Sequence, residues 1–214
     1  MLRFSIFGIT VNIQPMFWLI MAMIGGAIPL LSKPTTAGLV NLIVFIGAGF
    51  LSILIHELGH ALTMKRFRKA PEIILHGMGG IMVSSGPALK KSQNFWVIIM
   101  GPLAQFGIGS LALILLTKVN IDIFPTPQSR MFIVYLMSIS FFWSLLNLLP
   151  IYPLDGGLLL KNFFKKTRLV HLISLITIGL LILICLKIGQ IFSIIILLML
   201  GSENYKAFQT LKQA

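Results

Sequence analysis

Residues 4–32, 34–56, 92–117, 131–154, 169–186 and 188–202 contain no Asp, Glu, Lys or Arg. A helix needs about 20 predominantly apolar residues to cross the hydrocarbon of a bilayer, so most of these stretches are long enough to cross. The last two are short and flank Lys187, and read as two tight spans or as one long tilted span. Soluble domains carry about 25% charged residues, whereas this chain carries 10% and has a mean hydropathy of +0.98. The fold class expected is therefore a polytopic α-helical membrane protein with about six spans. It forms one integral-membrane domain over residues 1–214, with no linker, internal repeat or soluble module. The first apolar segment continues to Leu31 without a small-residue cleavage site, so it reads as a retained span rather than a signal peptide. A single cysteine, Cys185, excludes an intramolecular disulfide.

The net charge of +12 would point to nucleic acid in a soluble protein. Here the basic residues fall between the apolar runs, where they act as topology signals and meet anionic headgroups, and no nucleic-acid partner is expected. With six spans and a cytoplasmic N-terminus, 13 of the 17 basic residues lie inside and only Lys33, Lys118, Arg130 and Lys187 lie outside. That bias follows the positive-inside rule and places both termini in the cytoplasm of a multi-pass cell-membrane protein.

Two segments depart from the helical pattern. Residues 4–13 alternate apolar and polar on either side of Gly8, which predicts a short hairpin at the membrane face, closed by Pro15. Residues 71–85 contain Gly77, Gly79 and Gly80 between two β-prone arms, and predict a hairpin or re-entrant loop. The spans expected around them cover about 16–31, 37–64, 94–117, 131–149, 169–186 and 188–201. Gly101-Pro102 marks a kink or a close-packing point in the third.

The second span carries His56-Glu57-Leu58-Gly59-His60 in its last third. On a helix, residues four apart lie about 40° apart around the axis and about 6 Å along it. Both imidazoles can then reach one ion, and Glu57 can address a water bound to it, which is the zincin arrangement. A catalytic zinc takes three protein ligands and an open position. The metzincin continuation fails, because Thr63 and Arg66 stand where Gly and His are needed. The remaining candidates are Glu72, His76, Asp122, Asp155, His171 and Glu203.

Topology selects among them. His56 lies nine residues before Lys65, about 13 Å inside the cytoplasmic end of its helix. Asp122 lies in an outer loop at the far side. Asp155 follows Pro150 and Pro153, where a broken helix can dip back to the depth of the histidines, and Gly156-Gly157 permits a tight turn. A carboxylate at that depth needs a partner or a metal, so Asp155 is the third ligand of choice. His76 reads as a hairpin polar residue and His171 as interfacial.

The histidine motif on one span, with Asn147-x-x-Pro150-x-x-Pro153-Leu154-Asp155-Gly156-Gly157 on a later one, resembles the site-2 protease family of intramembrane metalloproteases (M50-type). The likeness covers about residues 4–160, and in size and layout it most resembles the stage IV sporulation protease subgroup. It implies one Zn2+ held by His56, His60 and Asp155, with Glu57 as base and a catalytic core over about 37–160. It also implies an active site near the cytoplasmic side, and transmembrane segments of other proteins as substrates. The glycine-rich segment with Gly79 and Gly80 would be a membrane-dipping hairpin near the substrate path. Asn147 would hydrogen-bond substrate or a group beside the metal, or else bridge two helices.

The family's Gly-Pro-x-x-Asn reads Gly101-Pro102-Leu103-Ala104-Gln105 here, which leaves that polar role to Gln105. A histidine common after the first hairpin is replaced by Gln14, and neither a PDZ nor a CBS domain is expected. The partners expected are a transmembrane protein substrate and membrane lipids, with room for a regulatory membrane partner or a homo-oligomer. A metal transporter would need a continuous polar path, which spans one, three, five and six hardly offer, and an inactive relative is disfavoured by the intact Glu57.

Overall fold

The computed structural model describes residues 1–77, 79–86, 88–119, 124–164 and 166–213, so the outer-loop Asp122 lies outside the described residues. Strands β1 (Leu2–Ile6) and β2 (Ile9–Ile13) form the first hairpin. Its two turn residues, Phe7 and Gly8, both have positive φ, 52° and 69°. That is the twist a two-residue hairpin requires. Strands β3 (Ala70–His76) and β4 (Gly79–Ser85) form the second hairpin, in the segment where one was expected.

Beyond what the local pattern predicts, the two hairpins join. β2 pairs in parallel with β3 from Thr10↔Glu72 to Ile13↔Leu75, giving one sheet in the order β1-β2-β3-β4. Parallel neighbours need a long crossover, supplied here by α1 (Pro15–Ile24), α2 (Ala27–Ser32) and α3 (Thr36–Arg66). The Gln14 N–H donates to the Leu75 carbonyl at 2.9 Å and extends the pairing past β2. Period-two alternation puts Ile9, Val11, Ile13, Ile73 and Leu75 on one buried face, packed on Phe17 and Met21 of α1 and on Ile53, Leu54 and Ala61 of α3.

The first expected span, 16–31, is not one helix. It breaks at Gly25-Gly26, where Gly26 adopts φ 93°. A Cβ on Gly25 would come within 2.6 Å of the Phe45 ring, so its absence lets the break lie against α3. At 10 residues, α1 is only about 15 Å long, too short to cross alone.

Helix α3 has 31 residues, about 46 Å at the helical rise. It packs on α4 (Lys91–Lys118) at very short range, for a Cβ on Gly59 would lie 2.3 Å from the Met100 carbonyl oxygen. α4 continues through Pro102, and the Ser144 hydroxyl of α5 (Pro127–Asn147) donates to the Pro102 carbonyl at 3.0 Å.

Two compact units divide the chain, residues 1–144 and 145–214. The second contains α6 (Asp155–Phe163), α7 (Thr167–Ile188) and α8 (Ile191–Gln213) around Ile151, Ile178 and Leu200. The stretch 169–201 is thus two helices, not one tilted span. Gly189 takes a left-handed φ of 72° and ends α7. α6 was not expected, because its prolines suggested only broken chain. Among the described residues, α3, α4, α5 and α7 are long and apolar enough to cross a membrane, and α8 begins apolar but carries Glu203 and Lys206 further on.

The α3–α4 contact generates the first prediction. Gly59→Ala forces a methyl against a backbone carbonyl, a cost of about 1–3 kcal/mol for overpacking, and should lower the thermal midpoint in detergent. Gly107→Ala on α4, where a Cβ meets nothing within 4 Å, should leave the midpoint unchanged or raise it.

Candidate metal centre

Helix α3 carries His56, Glu57 and His60, all buried at 3%, 6% and 7% exposure. The two imidazoles sit edge to face with centroids 4.7 Å apart, and their Nε2 atoms are 3.1 Å apart. The neighbours of each Nδ1 decide what those Nε2 atoms present. His60 Nδ1 lies 2.7 Å from the Val97 carbonyl of α4, which can only accept, so Nδ1 carries the proton. His56 Nδ1 lies 3.0 Å from Gln105 Oε1. The Gln105 amide is oriented by its nitrogen, which donates to the Ser52 hydroxyl at 3.0 Å and faces the Ser52 carbonyl at 3.5 Å. His56 Nδ1 therefore also carries its proton.

In neutral imidazoles both Nε2 atoms then present lone pairs toward each other, and two acceptors cannot hydrogen-bond. A cation turns that repulsion into two bonds. Tetrahedral zinc with Zn–N of about 2.0–2.1 Å requires a nitrogen–nitrogen separation of about 3.3 Å, close to the 3.1 Å found. The donor types, the tautomers and the spacing all fit a zinc half-site. Acceptors behind each ring are the usual means of holding a ligating histidine.

Glycines make room around these side chains. A Cβ on Gly101 would lie 2.2 Å from His60 Nε2, so Gly101 serves as a close-packing point for the imidazole. A Cβ on Gly80 would lie 2.2 Å from the Glu57 carboxyl. The register explains that contact: Gly80 is opposite Leu75, on the inner face of the sheet, so β4 delivers bare backbone to Glu57. Gly79 begins β4 with φ 118°, which an L side chain rarely adopts.

The first unit thus brings together His56, Glu57, His60, Gly80 and Gln105. It also adds Ser52 and Ser140, which were not singled out from sequence. Ser52 Oγ lies 2.8 Å from Ser140 Oγ of α5 while accepting from Gln105. The available signal was helical periodicity, since Ser52 precedes His56 by one turn and shares its face.

In the second unit Asp155 is buried at 7% exposure in the first turn of α6. Gly156 and Gly157 are required there: a Cβ on either would lie within 2.4 Å of backbone atoms of Leu148, Leu149, Ile151 or Tyr152. Asn147, the last residue of α5, is half-buried.

The other acidic and histidine candidates are differently engaged. The Asn12 amide donates to the Glu72 carboxylate, Glu203 is exposed, and His76 is half-buried at the end of β3. His171, expected at the membrane interface near the start of its helix, is 5% exposed, and its Nδ1 lies 2.9 Å from Asn204 Oδ1 of α8, a polar partner that its own segment gave no sign of.

Gln105→Leu leaves the His56 Nδ1–H facing an apolar group. It should weaken zinc binding about 10–100-fold, read by chelator competition on purified protein, with helicity unchanged.

A model for peptidase family M50 matches residues 124–186, the segment that bears Asn147 and Asp155. A zinc metalloprotease of Methanocaldococcus jannaschii is 31% identical over 119 residues, which are 55% of this chain and 33% of that protein. Stage IV sporulation protein FB of Bacillus subtilis is 32% identical over 158 residues, 73% of this chain and 48% of that protein. The chain thus spans less than half the length of these curated relatives. Among solved structures, the site-2 protease from Methanocaldococcus jannaschii matches with a TM-score of 0.60 and 27% identity, over 98% of this chain and 94% of that one. A likeness running the length of a solved site-2 protease, joined to the family match over the aspartate segment, makes this chain a member of peptidase family M50.

Proposed function

We propose that this protein is an intramembrane zinc metalloendopeptidase. It hydrolyses peptide bonds within or near transmembrane segments of membrane-protein substrates, as in regulated intramembrane proteolysis. The observation that carries the proposal is the pair of imidazole Nε2 atoms 3.1 Å apart, with Glu57 adjacent on the same helix and packed on the Gly80 backbone.

His56 and His60 are two ligands of the zinc and Asp155 is the third. Support for Asp155 comes from elimination and chemistry. Glu72 is engaged by Asn12 and Glu203 is exposed, and Asp155 is a buried carboxylate whose next two residues, Gly156 and Gly157, permit a close turn. Burying a carboxylate is costly unless a cation or donors compensate it, and zinc is one such cation.

Zinc, when bound, supplies an acidified water and a Lewis acid for the scissile carbonyl. Glu57 would accept the proton of the attacking water at its carboxylate and deliver it to the leaving amine nitrogen. Val97 and Gln105 hold the imidazoles in the tautomer that ligation needs. A helical substrate has its peptide bonds shielded, so it must be extended before cleavage. β4 is an edge strand of the sheet, and it can take up an extended segment by β-addition. Gly79 and Gly80 keep that end of the strand bare beside Glu57, and Asn147 donates to the substrate backbone.

Six crossings are proposed over a single domain of residues 1–214, with the core at 37–160. α1 and α2 make a broken first crossing and the apolar start of α8 makes the last. Both termini and the opening of the site then face the cytoplasm, which the basic-residue bias supports.

Purified protein in liposomes, assayed on a panel of transmembrane substrates, tests the proposal. Glu57→Gln should retain zinc and lose about 10²–10⁴-fold in cleavage rate. Gly80→Ala should reduce cleavage by displacing Glu57 while zinc binding stays near wild type. Asp155→Ala should lose zinc. Undiminished cleavage by Glu57→Gln would remove the assignment of the base, and unchanged zinc content in Asp155→Ala would remove the third ligand.

A further inference from the structure

Three buried polar side chains in the second unit take no part in the chemistry above: His171 and Ser174 on α7, and Asn204 on α8, at 5%, 0% and 1% exposure. They converge on one residue, Tyr152. The Tyr152 N–H donates to Ser174 Oγ at 2.9 Å, and the Tyr152 carbonyl accepts from Asn204 Nδ2 at 2.6 Å. Both of its backbone groups are thus held by side chains from two helices, where a loop would ordinarily leave them to water.

The orientation of the clamp is determined. Asn204 Nδ2 also donates to the Leu200 carbonyl at 2.9 Å, so the amide nitrogen faces two acceptors and Oδ1 must be the atom toward His171. His171 Nδ1, 2.9 Å from Oδ1, therefore donates. Ser174 Oγ donates in turn to the Val170 carbonyl at 2.9 Å, which leaves its lone pairs for the Tyr152 N–H. The Tyr152 ring stands edge-on to the His171 imidazole at 5.2 Å, and the Lys161 ammonium of α6 lies 5.0 Å from its centroid.

Tyr152 is three residues before Asp155, and the segment between is tightly wound. The Leu154 N–H donates to the Ile151 carbonyl at 2.7 Å, and the first turn of α6 rests on Ile151 and Tyr152 through Gly157. Fixing Tyr152 therefore fixes the start of α6, the backbone from which the Asp155 side chain extends.

We infer that His171, Ser174 and Asn204 are positioning residues that clamp the Tyr152 backbone and so hold Asp155 in its ligating direction. The inference rests on the reading of Asp155 as the third zinc ligand. A clamp of this kind acts on the metal through the loop, so loosening it weakens zinc binding and turnover without touching the imidazoles or the substrate strand.

The test uses full-length protein in detergent, with zinc dissociation read by chelator competition, the visible spectrum of the cobalt-substituted protein, and kcat and KM on a transmembrane substrate. Ser174→Ala and Asn204→Ala should each speed zinc loss about tenfold or more, shift the cobalt bands, and lower kcat with KM near wild type. Ser174→Thr, which keeps the hydroxyl, should restore wild-type behaviour. Asp155→Ala is run in parallel. If Asp155→Ala releases zinc while Ser174→Ala and Asn204→Ala match wild type in all three readouts, the clamp is overturned and the ligand assignment stands. If Asp155→Ala keeps its zinc, the ligand assignment fails first. Should Asn204→Ala not fold, the contrast between Ser174→Ala and Ser174→Thr decides, and equal zinc loss from both overturns the inference.

Discussion

Gly59 meets the Met100 carbonyl with no side chain between them, and Gly101 in turn accepts the face of the His60 imidazole. The close approach of α3 and α4 brings the Val97 carbonyl and the Gln105 amide within hydrogen-bond range of the two Nδ1 atoms. Those two contacts set the tautomers, and the tautomers turn both Nε2 lone pairs toward one point. A wider helix pair would leave the same five-residue motif with freely rotating rings. The metal half-site is thus a consequence of helix spacing as much as of histidine spacing.

Hydrogen bonds between membrane helices contribute about 0.6–2 kcal/mol each, too little for the polar side chains here to be explained as the glue of the fold. Their placement points elsewhere. Ser52, Gln105 and Ser140 form a chain that ends on His56, and Ser174, Asn204 and His171 form another that ends on Tyr152. Each polar residue is costly to bury alone, but a chain in which every member has a partner fixes rotamers at small net cost. In the first unit that rigidity is delivered to the His56 imidazole, and in the second to the Tyr152 backbone.

What could be read in advance follows the range of the interaction responsible. Both hairpins were legible because turn chemistry and alternation are local, as Gly8 between two apolar arms illustrates. The parallel pairing of β2 with β3 was not, since it joins residues some 60 positions apart in sequence, such as Thr10 and Glu72. The break at Gly25-Gly26 was hidden by uniform hydropathy, which sees apolar character but not the φ of 93° at Gly26. The partner of His171 was hidden for a related reason: Asn204 lies on the next helix and leaves no trace in the pattern around either residue.

Sequence alone determined the membrane character, the helix bearing His56, Glu57 and His60, and the chemistry those residue types can support. Charge-free runs and a spacing of four are properties of the chain itself, independent of how its parts meet. Tertiary structure decided which imidazole nitrogens face each other, why Gly80 must lack a side chain, and what occupies the buried amides of Gln105 and Asn204. These depend on the distance and register between elements remote in sequence, and only packing sets them.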